Sequence, residues 1–389
     1  MPSPLPPPLA PASKLPDAGT TIFTVMSALA EQHGAINLSQ GFPDFPAPAG
    51  LLDRVRHHLE AGHNQYAPMA GLPALRAQIA RKTVALYGRP VDAAHEVTVT
   101  SGATEALYCA ITAVVHPGDE VLCLDPAYDS YEVAVRLSGG VAVHVPLREP
   151  RFAVDWDRVR DAITPRTRLL ILNSPHNPTG AVLSADDIEC LADVIRDTRI
   201  LVLSDEVYEH MVFDGHRHES LLRHAELAAR SFIVSSFGKT YHATGWKIGY
   251  CIAPAALTAE FRRVHQFVQF CVVTPMQWAL ADFLESDPRH YLDLPAFYQA
   301  KRDRFCRLLQ SSRFRITPSA GTYFQLLDYS AISDEPDVDF VRRLTIEAGV
   351  ASIPVSVFCA GPLAGRYLRF CFAKATDTLE RAAEILCGI

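Results

Sequence analysis

Two lysines stand eight residues apart, Lys239 and Lys247, in a stretch that does not read as a solvated helix face. An apolar run, Phe232-Ile233-Val234, ends in Ser235-Ser236-Phe237-Gly238, and Lys239 follows, with Tyr241 and Trp246 close behind. A lysine hemmed in by small polar residues and aromatics is poorly solvated. It sheds its charge more readily and becomes a nucleophile suited to Schiff-base chemistry. The bland alternative is an exposed loop lysine. Ser236-Phe237-Gly238-Lys239 also fits the S-x-x-K pattern of certain serine hydrolases, but the companion strings S-D-N and K-T-G are missing.

Other apolar runs end in residues of equal chemical interest. "VTVTSGATEAL" delivers Ser101-Gly102-Ala103-Thr104 into a helix, and small residues there leave backbone N–H groups free to cap the helix or to cradle a phosphate. "LCLDPAYDSY" delivers Tyr128, which either packs a loop or stacks on a flat ring. "LLILNSPHNPTG" delivers Asn177 inside a turn signal, with an amide that can face a ligand oxygen. "LVLSDEVYEH" delivers Asp205 and Tyr208. An acid ending an apolar strand needs a partner, either as a helix cap or as a carboxylate that keeps a ring nitrogen protonated. Phosphate cradle, stacking aromatic, amide, acid, phenol and lysine together describe a site for pyridoxal phosphate.

The elements that must hold these residues can be read from periodicity. Helical patterns cover 50–62 and 72–88. Seven short apolar runs follow, at 96–102, 120–127, 140–147, 168–175, 200–208, 232–238 and 247–254. Helical segments separate most of them, such as 184–197, which opens with a capping-box pattern of Ser184 and Asp187. The last two runs are too close for a helical crossover, so one strand of that pair is expected to be antiparallel. The pattern predicts an α/β fold with a mainly parallel, seven-stranded, doubly wound sheet. Ligands of such sheets bind outside the carboxyl ends of the strands, where the residues above fall. After 285 the texture changes to a long helix at 289–312, strand-like runs within 314–328, 350–356 and 367–373, and a last helix at 376–387. That predicts a second, smaller α+β domain.

The chain has 389 residues, 49% of them hydrophobic, and a net charge of −7, which leaves no basic excess for a general nucleic-acid binder. Arg262-Arg263 and Arg342-Arg343 are expected on solvated helix faces. Nine scattered cysteines, without a CxxC pair, read as free thiols of a reducing compartment, and no metal-ligand spacing stands out among the fifteen histidines. The proline-rich start lacks the pattern of a secretory signal, and no apolar run is long enough to span a membrane. The expectation is a soluble, cytoplasmic protein.

The chain resembles the class I, fold-type I aminotransferases, which depend on pyridoxal 5'-phosphate. The resemblance covers nearly its whole length and rests on "LSQGFPDFP" (38–46), "NQYAPMAGLPALR" (64–76), "NSPHNPTGAV" (173–182), "LSDEVYEHMVF" (203–213), "SSFGKTYHATGWKIGYCIAP" (235–254) and "YLRFCFA" (367–373). The start, "TTIFTVMSALAEQHGAINLSQGFPDFP" (20–46), is similar to that of the methionine and kynurenine/glutamine aminotransferase branch. The resemblance implies a proline-rich arm (1–19), an N-terminal segment joining the small domain (20–46), a large cofactor domain (47–286) and a small domain (287–389).

It also implies roles. Lys239 matches the Schiff-base lysine, which moves the substrate's α-proton once freed. Gly102, Ala103, Thr104, Ser236 and Lys247 match the phosphate site, although many members carry arginine where Lys247 stands. Tyr128 matches the stacking aromatic, Asn177 and Tyr208 the donors to the ring's phenolic oxygen, and Asp205 the partner of the ring nitrogen. Arg369 matches the arginine that forks the substrate carboxylate, with a Gly41 backbone donor beside it. Tyr66 matches a tyrosine that reaches the neighbouring subunit's phosphate, which implies a homodimer. Ile22, Phe23, Tyr66, Tyr128, Phe267, Phe270 and Tyr323 are expected near the substrate side chain. These residues are apolar or aromatic, which favours methionine-like donors over aspartate, with Arg262 and Arg263 left as possible second-carboxylate partners. β-Elimination from cysteine S-conjugates would use the same lysine. A non-enzymatic cofactor sensor is disfavoured because no DNA-binding segment is appended.

Overall fold

The apolar runs become strands that are covered on both sides. The computed structural model describes residues 12–389, so most of the predicted proline-rich arm, residues 1–11, lies outside the described residues. In chain order the strands are β1 (Ile36–Asn37), β2 (Val97–Thr100), β3 (Glu120–Asp125), β4 (Val141–Pro146), β5 (Thr167–Asn173), β6 (Leu201–Asp205), β7 (Ser231–Ser236), β8 (Gly249–Ile252), β9 (Arg315–Ile316), β10 (Phe324–Asp328), β11 (Val350–Ala351), β12 (Ile353–Pro354) and β13 (Tyr367–Cys371).

Seven of these form one sheet in the order β2-β8-β7-β6-β5-β3-β4. The pairs β4–β3, β3–β5, β5–β6 and β6–β7 are parallel, and β8 runs antiparallel to both β7 and β2. That is the expected fold class, including the antiparallel strand. Successive side chains point to opposite faces. Thus Leu122, Leu170, Val202 and Ile233 join one apolar cluster, and Val121, Leu169, Leu203 and Phe232 join another. A sheet buried on both faces needs unbroken apolar runs, which is why the strands were legible in the sequence. The chain steps outward from the β3/β5 pair in both directions, and a ligand crevice belongs at that reversal.

The C-terminal part carries a four-stranded antiparallel sheet in the order β12-β13-β10-β9. Helices Arg289–Leu308 and Thr376–Cys387 pack against each other there, and the first ends four residues short of the expected 312. The N-terminal segment joins this part. β1 pairs in parallel with β11, and Cys371 donates its N–H to the Leu38 carbonyl. Helix Ala185–Ile195 begins with the expected capping box, Ser184 and Asp187 bonding reciprocally.

One expectation fails. Arg262 is not on a solvated face: its guanidinium donates to Thr98 Oγ1 (2.9 Å) and to the carbonyls of Ala94 (2.9 Å) and Val97 (2.6 Å). The turn before the edge strand β2 and the first residue of that strand turn carbonyls to this side, and a five-donor fork satisfies both at once.

A buried knot of polar groups ties the sheet to helix Pro73–Tyr87. The Glu209 carboxylate accepts from Lys82 (2.7 Å), Tyr250 (2.9 Å), Ser235 and Tyr87. Burial pushes the Glu209 pKa up, but Lys82, neighbouring His210 and the hydrogen bonds overcome it and hold the group well below the usual carboxylate range. A depressed carboxyl contributes stability that is present above its unfolded pKa and lost as pH falls through the folded one. Lys82→Met strips this carboxylate of its cation, and removing one partner of a buried pair costs about 3–5 kcal/mol. The expected outcome is a lower urea midpoint and acid unfolding that begins at higher pH than in the wild type. An unchanged midpoint at pH 7 would contradict this account of the knot.

Candidate active site

The strand ends converge on a cavity of about 260 Å³. Its walls include Gly102, Ala103 and Thr104 after β2, Tyr128 after β3, Asn177 after β5, Asp205 at the end of β6 and Tyr208 just beyond it, and Ser236 at the end of β7 with Lys239 just beyond. Lys247 and, from the N-terminal segment, Gly41 line it too, whereas Arg369, Phe23 and Tyr66 of the expected set are not among its walls. These residues lie far apart in the chain. The shared polarity of the parallel strands brings them to one edge.

Lys239 sits on a single helical turn, Phe237–Thr240, directly after β7. Its amine donates to the Tyr323 hydroxyl (2.9 Å) and the Gly41 carbonyl (3.2 Å). Burial, with the nearby cations Lys247 and Arg369, outweighs the opposing influence of Cys371 and Asp205 and pulls its pKa from 10.5 to about 8. Ser236 and Lys239 share the cavity, but among the described residues no hydrogen bond joins them, so the S-x-x-K pairing is not formed.

Asp205 is buried, and among the described residues its carboxylate has only neutral donors: the Tyr131 hydroxyl (2.7 Å) and the Val207 N–H (3.3 Å). Burial pushes its carboxyl up to about 6, and Tyr131, Val207 and Lys239 only partly offset this. Tyr208 and Tyr128 are also pushed up by burial, Tyr128 to about 12, so both are neutral phenols.

Helix Gly102–Val114 points its first N–H groups at the cavity, and the dipole favours an anion there. Gly102 has φ +75°, and a Cβ at this position would lie 3.1 Å from Lys247 Cε, so glycine lets the lysine pass over the helix start. Ser236 faces the same cavity.

Arg369, on β13, is almost fully buried. It donates to Asn177 Oδ1 (2.8 Å) and the Ser39 carbonyl (2.8 Å), while its Nε has no partner among the described residues. Because Asn177 presents its oxygen to Arg369, its amide nitrogen is free to donate elsewhere. Phe23, Phe324 and Phe358 surround the guanidinium, at 5.2, 3.9 and 6.0 Å.

These features fit pyridoxal phosphate. A buried acid without a cation suits a protonated ring nitrogen. A helix start with lysine and serine suits a phosphate, and a half-satisfied buried guanidinium suits a carboxylate.

Three expectations need amendment. Tyr66, Phe267 and Phe270 do not line the cavity of this chain; they are 79%, 86% and 59% exposed, and Tyr66 packs edge-on against Phe270. Gly41 turns its carbonyl, an acceptor, toward Lys239. Arg262 is committed to β2 and is not available for a second carboxylate. Sequence reasoning missed Tyr131, which holds Asp205, and Asn173, whose side chain donates to the Asp205 carbonyl (2.9 Å) and accepts from the Asn177 N–H (2.8 Å). Asn173 ends an apolar strand, as Asp205 does, and that signal was available; nothing local marks Tyr131. A buried cluster of Glu105, Cys109 and His265, joined by hydrogen bonds of 2.8 Å, was equally invisible because His265 is remote in sequence.

Comparison with known proteins gives one family. The model for aminotransferases of class I and II matches residues 33–386. Methionine aminotransferase of Escherichia coli is 56% identical over 379 residues, 97% of this chain and 98% of that protein. The solved structure of E. coli YbdL, for which a methionine aminotransferase function was identified, superposes with a TM-score of 0.96 at 56% identity, covering 98% of this chain and all of that one. Mouse kynurenine–oxoglutarate transaminase 3 is 34% identical, over 96% of this chain and 89% of its own length.

The lowered amine pKa has a direct test. In protein freed of cofactor, acylation of Lys239 by acetic anhydride should rise with a midpoint near pH 8, against 10.5 for an ordinary lysine. Peptide mapping reads both on one sample, and a Lys239 that titrates with the surface lysines would refute the desolvation argument.

Proposed function

Because the chain belongs to the class I and II aminotransferases, we propose that it moves the amino group of methionine, or another thioether, aromatic or apolar L-amino acid, to a 2-oxo acid, with pyridoxal 5'-phosphate as cofactor. The observation that carries this reading is the meeting of Lys239, Asp205, Asn177, Tyr208 and the start of helix Gly102–Val114 on one cavity, with Arg369 bonded to Asn177 behind it.

When bound, pyridoxal phosphate supplies an aldehyde that takes up the amino group and a ring that accepts the electron pair left at Cα. The chain's residues do the rest. Gly102, Ala103 and Thr104, with Ser236 and Lys247, would bind the phosphate. Tyr128 would lie against the ring, and Asn177 and Tyr208 would donate to its phenolic oxygen. Asp205 would hold a proton on the ring nitrogen, where a cation removes the cost of its burial. Lys239 would anchor the cofactor and, once displaced, carry the proton away from Cα. Arg369 would fork the substrate carboxylate. Two half-reactions on one lysine give ping-pong kinetics.

The methionine-like preference is supported by the E. coli relative, by the aromatic enclosure of Arg369 and by the engagement of Arg262 elsewhere. Kynurenine and glutamine are the comparison substrates, given the mouse relative. A homodimer is part of the proposal. The exposed Tyr66, Phe267 and Phe270, with Val268 and Val273 beside them, form an apolar surface that a second copy would cover, bringing Tyr66 to its phosphate. We also propose the division into residues 47–286 and 287–389. A cytoplasmic location is supported by nine free cysteines and by the lack, among the described residues, of any helix long and apolar enough to cross a membrane.

The deciding experiment is a visible spectrum. Purified protein should be yellow and bleach on adding methionine, and Lys239→Ala should not hold the colour through dialysis. A colourless protein indifferent to pyridoxal phosphate would end the proposal. In steady state, methionine should exceed aspartate in kcat/KM. Asp205→Asn should lower kcat by about a hundredfold or more. A carboxyl pushed up to about 6 becomes charged as pH rises through that value, so wild-type cofactor uptake should strengthen across it. That increment should be missing in Asp205→Asn, whereas the titration of the cofactor's own phosphate is common to both proteins. Identical pH curves would show that Asp205 does not meet the ring nitrogen.

A further inference from the structure

Tyr323 stands where three parts of the chain meet. It immediately precedes β10, Lys239 follows β7, and Gly41 belongs to the N-terminal segment. Its ring is fully buried and lies edge-on to Tyr208, with centroids 5.1 Å apart. The hydroxyl donates to the Gly41 carbonyl and accepts from Lys239 Nζ at 2.9 Å. The same carbonyl accepts a second bond from Nζ at 3.2 Å.

Hydrogen accounting gives this arrangement a direction. A neutral amine has two hydrogens and one lone pair. The Tyr323 hydrogen is committed to Gly41, so its oxygen can only accept from the lysine. Both amine hydrogens therefore have acceptors on one side, and the lone pair is what remains to face the cavity. An ammonium would carry a third hydrogen, with no further acceptor among the described residues.

The backbone pays a conformational cost to hold this geometry. Thr322 has φ +65°, a region that β-branched residues rarely enter, and it is buried and tied down by a bond from its N–H to the Met211 carbonyl (2.9 Å). Across the contact, a Cβ on Gly41 would lie 2.7 Å from Phe324 Cζ, so only glycine lets the N-terminal segment come this close.

We propose that Tyr323 is a positioning residue for transamination: with the Gly41 carbonyl, it holds the uncombined Lys239 amine so that the lone pair faces the cavity, ready to take the Cα proton. This rests on the aminotransferase reading of the site. Burial lowers the pKa of Lys239 from 10.5 to about 8, which brings the neutral amine within reach at mildly alkaline pH. The charged and titratable groups around the amine are Asp205, Lys247, Arg369, Cys371, Tyr208 and Tyr323 itself.

The test compares Tyr323→Phe with Tyr298→Phe. Tyr298 packs on Tyr323 at 5.8 Å, but its hydroxyl bonds His242 and not the lysine. One readout is the rate at which cofactor-free protein captures added pyridoxal phosphate, followed as yellow absorbance. The other is kcat, KM and the primary isotope effect with α-deuterated methionine. Tyr323→Phe is expected to slow capture and lower kcat by about tenfold, a modest share of what misplacement of a reacting group can cost. Its KM should stay within about twofold and its isotope effect should rise, because proton transfer then limits turnover more. Tyr298→Phe should match the wild type. Wild-type capture, kcat and isotope effect in Tyr323→Phe would overturn the proposal, as would equal losses in both variants. A wild-type protein that takes up no pyridoxal phosphate would instead overturn the reading on which the proposal rests.

Discussion

Two buried carboxylates, four residues apart, set the terms of this site. Glu209 has a cation, Lys82, and a ring of hydroxyl donors, and its pKa is driven down. Asp205 has a phenol and a backbone N–H but, among the described residues, no cation in contact, and burial drives its pKa up to about 6. The same burial acts on both, and the difference lies in the partner. Glu209 is a finished internal interaction that ties β7, β8 and helix Pro73–Tyr87 to the segment that follows β6. Asp205 is left unfinished in a cavity, which is where a cationic ring nitrogen would complete it.

The rest of the site repeats that contrast between satisfied supports and open groups. Asn173 holds the Asn177 backbone and the Asp205 carbonyl, and Tyr131 fixes one Asp205 oxygen. Arg369 is steadied by Asn177 and Ser39 and wrapped in aromatics, yet its Nε has no partner among the described residues. Open groups of this kind are costly in a protein interior unless something arrives to meet them. Here they face, or lie directly behind, one cavity of about 260 Å³, so one ligand can meet most of them.

Lys239 links this economy to the architecture. Its strand belongs to the large sheet, Tyr323 to the C-terminal part and Gly41 to the N-terminal segment. A single amine thus makes contact with all three, and the segment that carries Gly41 is itself anchored to the C-terminal part through β1 and β11. Any shift of that part relative to the sheet would be felt at the lysine as a change in its hydrogen bonds.

The sequence by itself determined the large sheet and the ends of its strands. A parallel sheet covered on both faces demands continuous apolar runs, and these end abruptly at polar residues such as Asp205, Asn177 and Lys239. The antiparallel β8, the capping box at Ser184 and the terminal helix were legible because they obey short-range rules. Long-range pairings were not. No local pattern aims Tyr131 at Asp205, Tyr323 at Lys239, or His265 at Glu105, since each pair is separated by 74 to 160 residues. Arg262 looked like a solvated charge because only the fold brings it against the carbonyls of Ala94 and Val97. Sequence thus determined which residues stand at the strand ends. Tertiary structure decided which of them have partners and which remain open, because a hydrogen bond or a desolvation cost depends on neighbours in space, not along the chain.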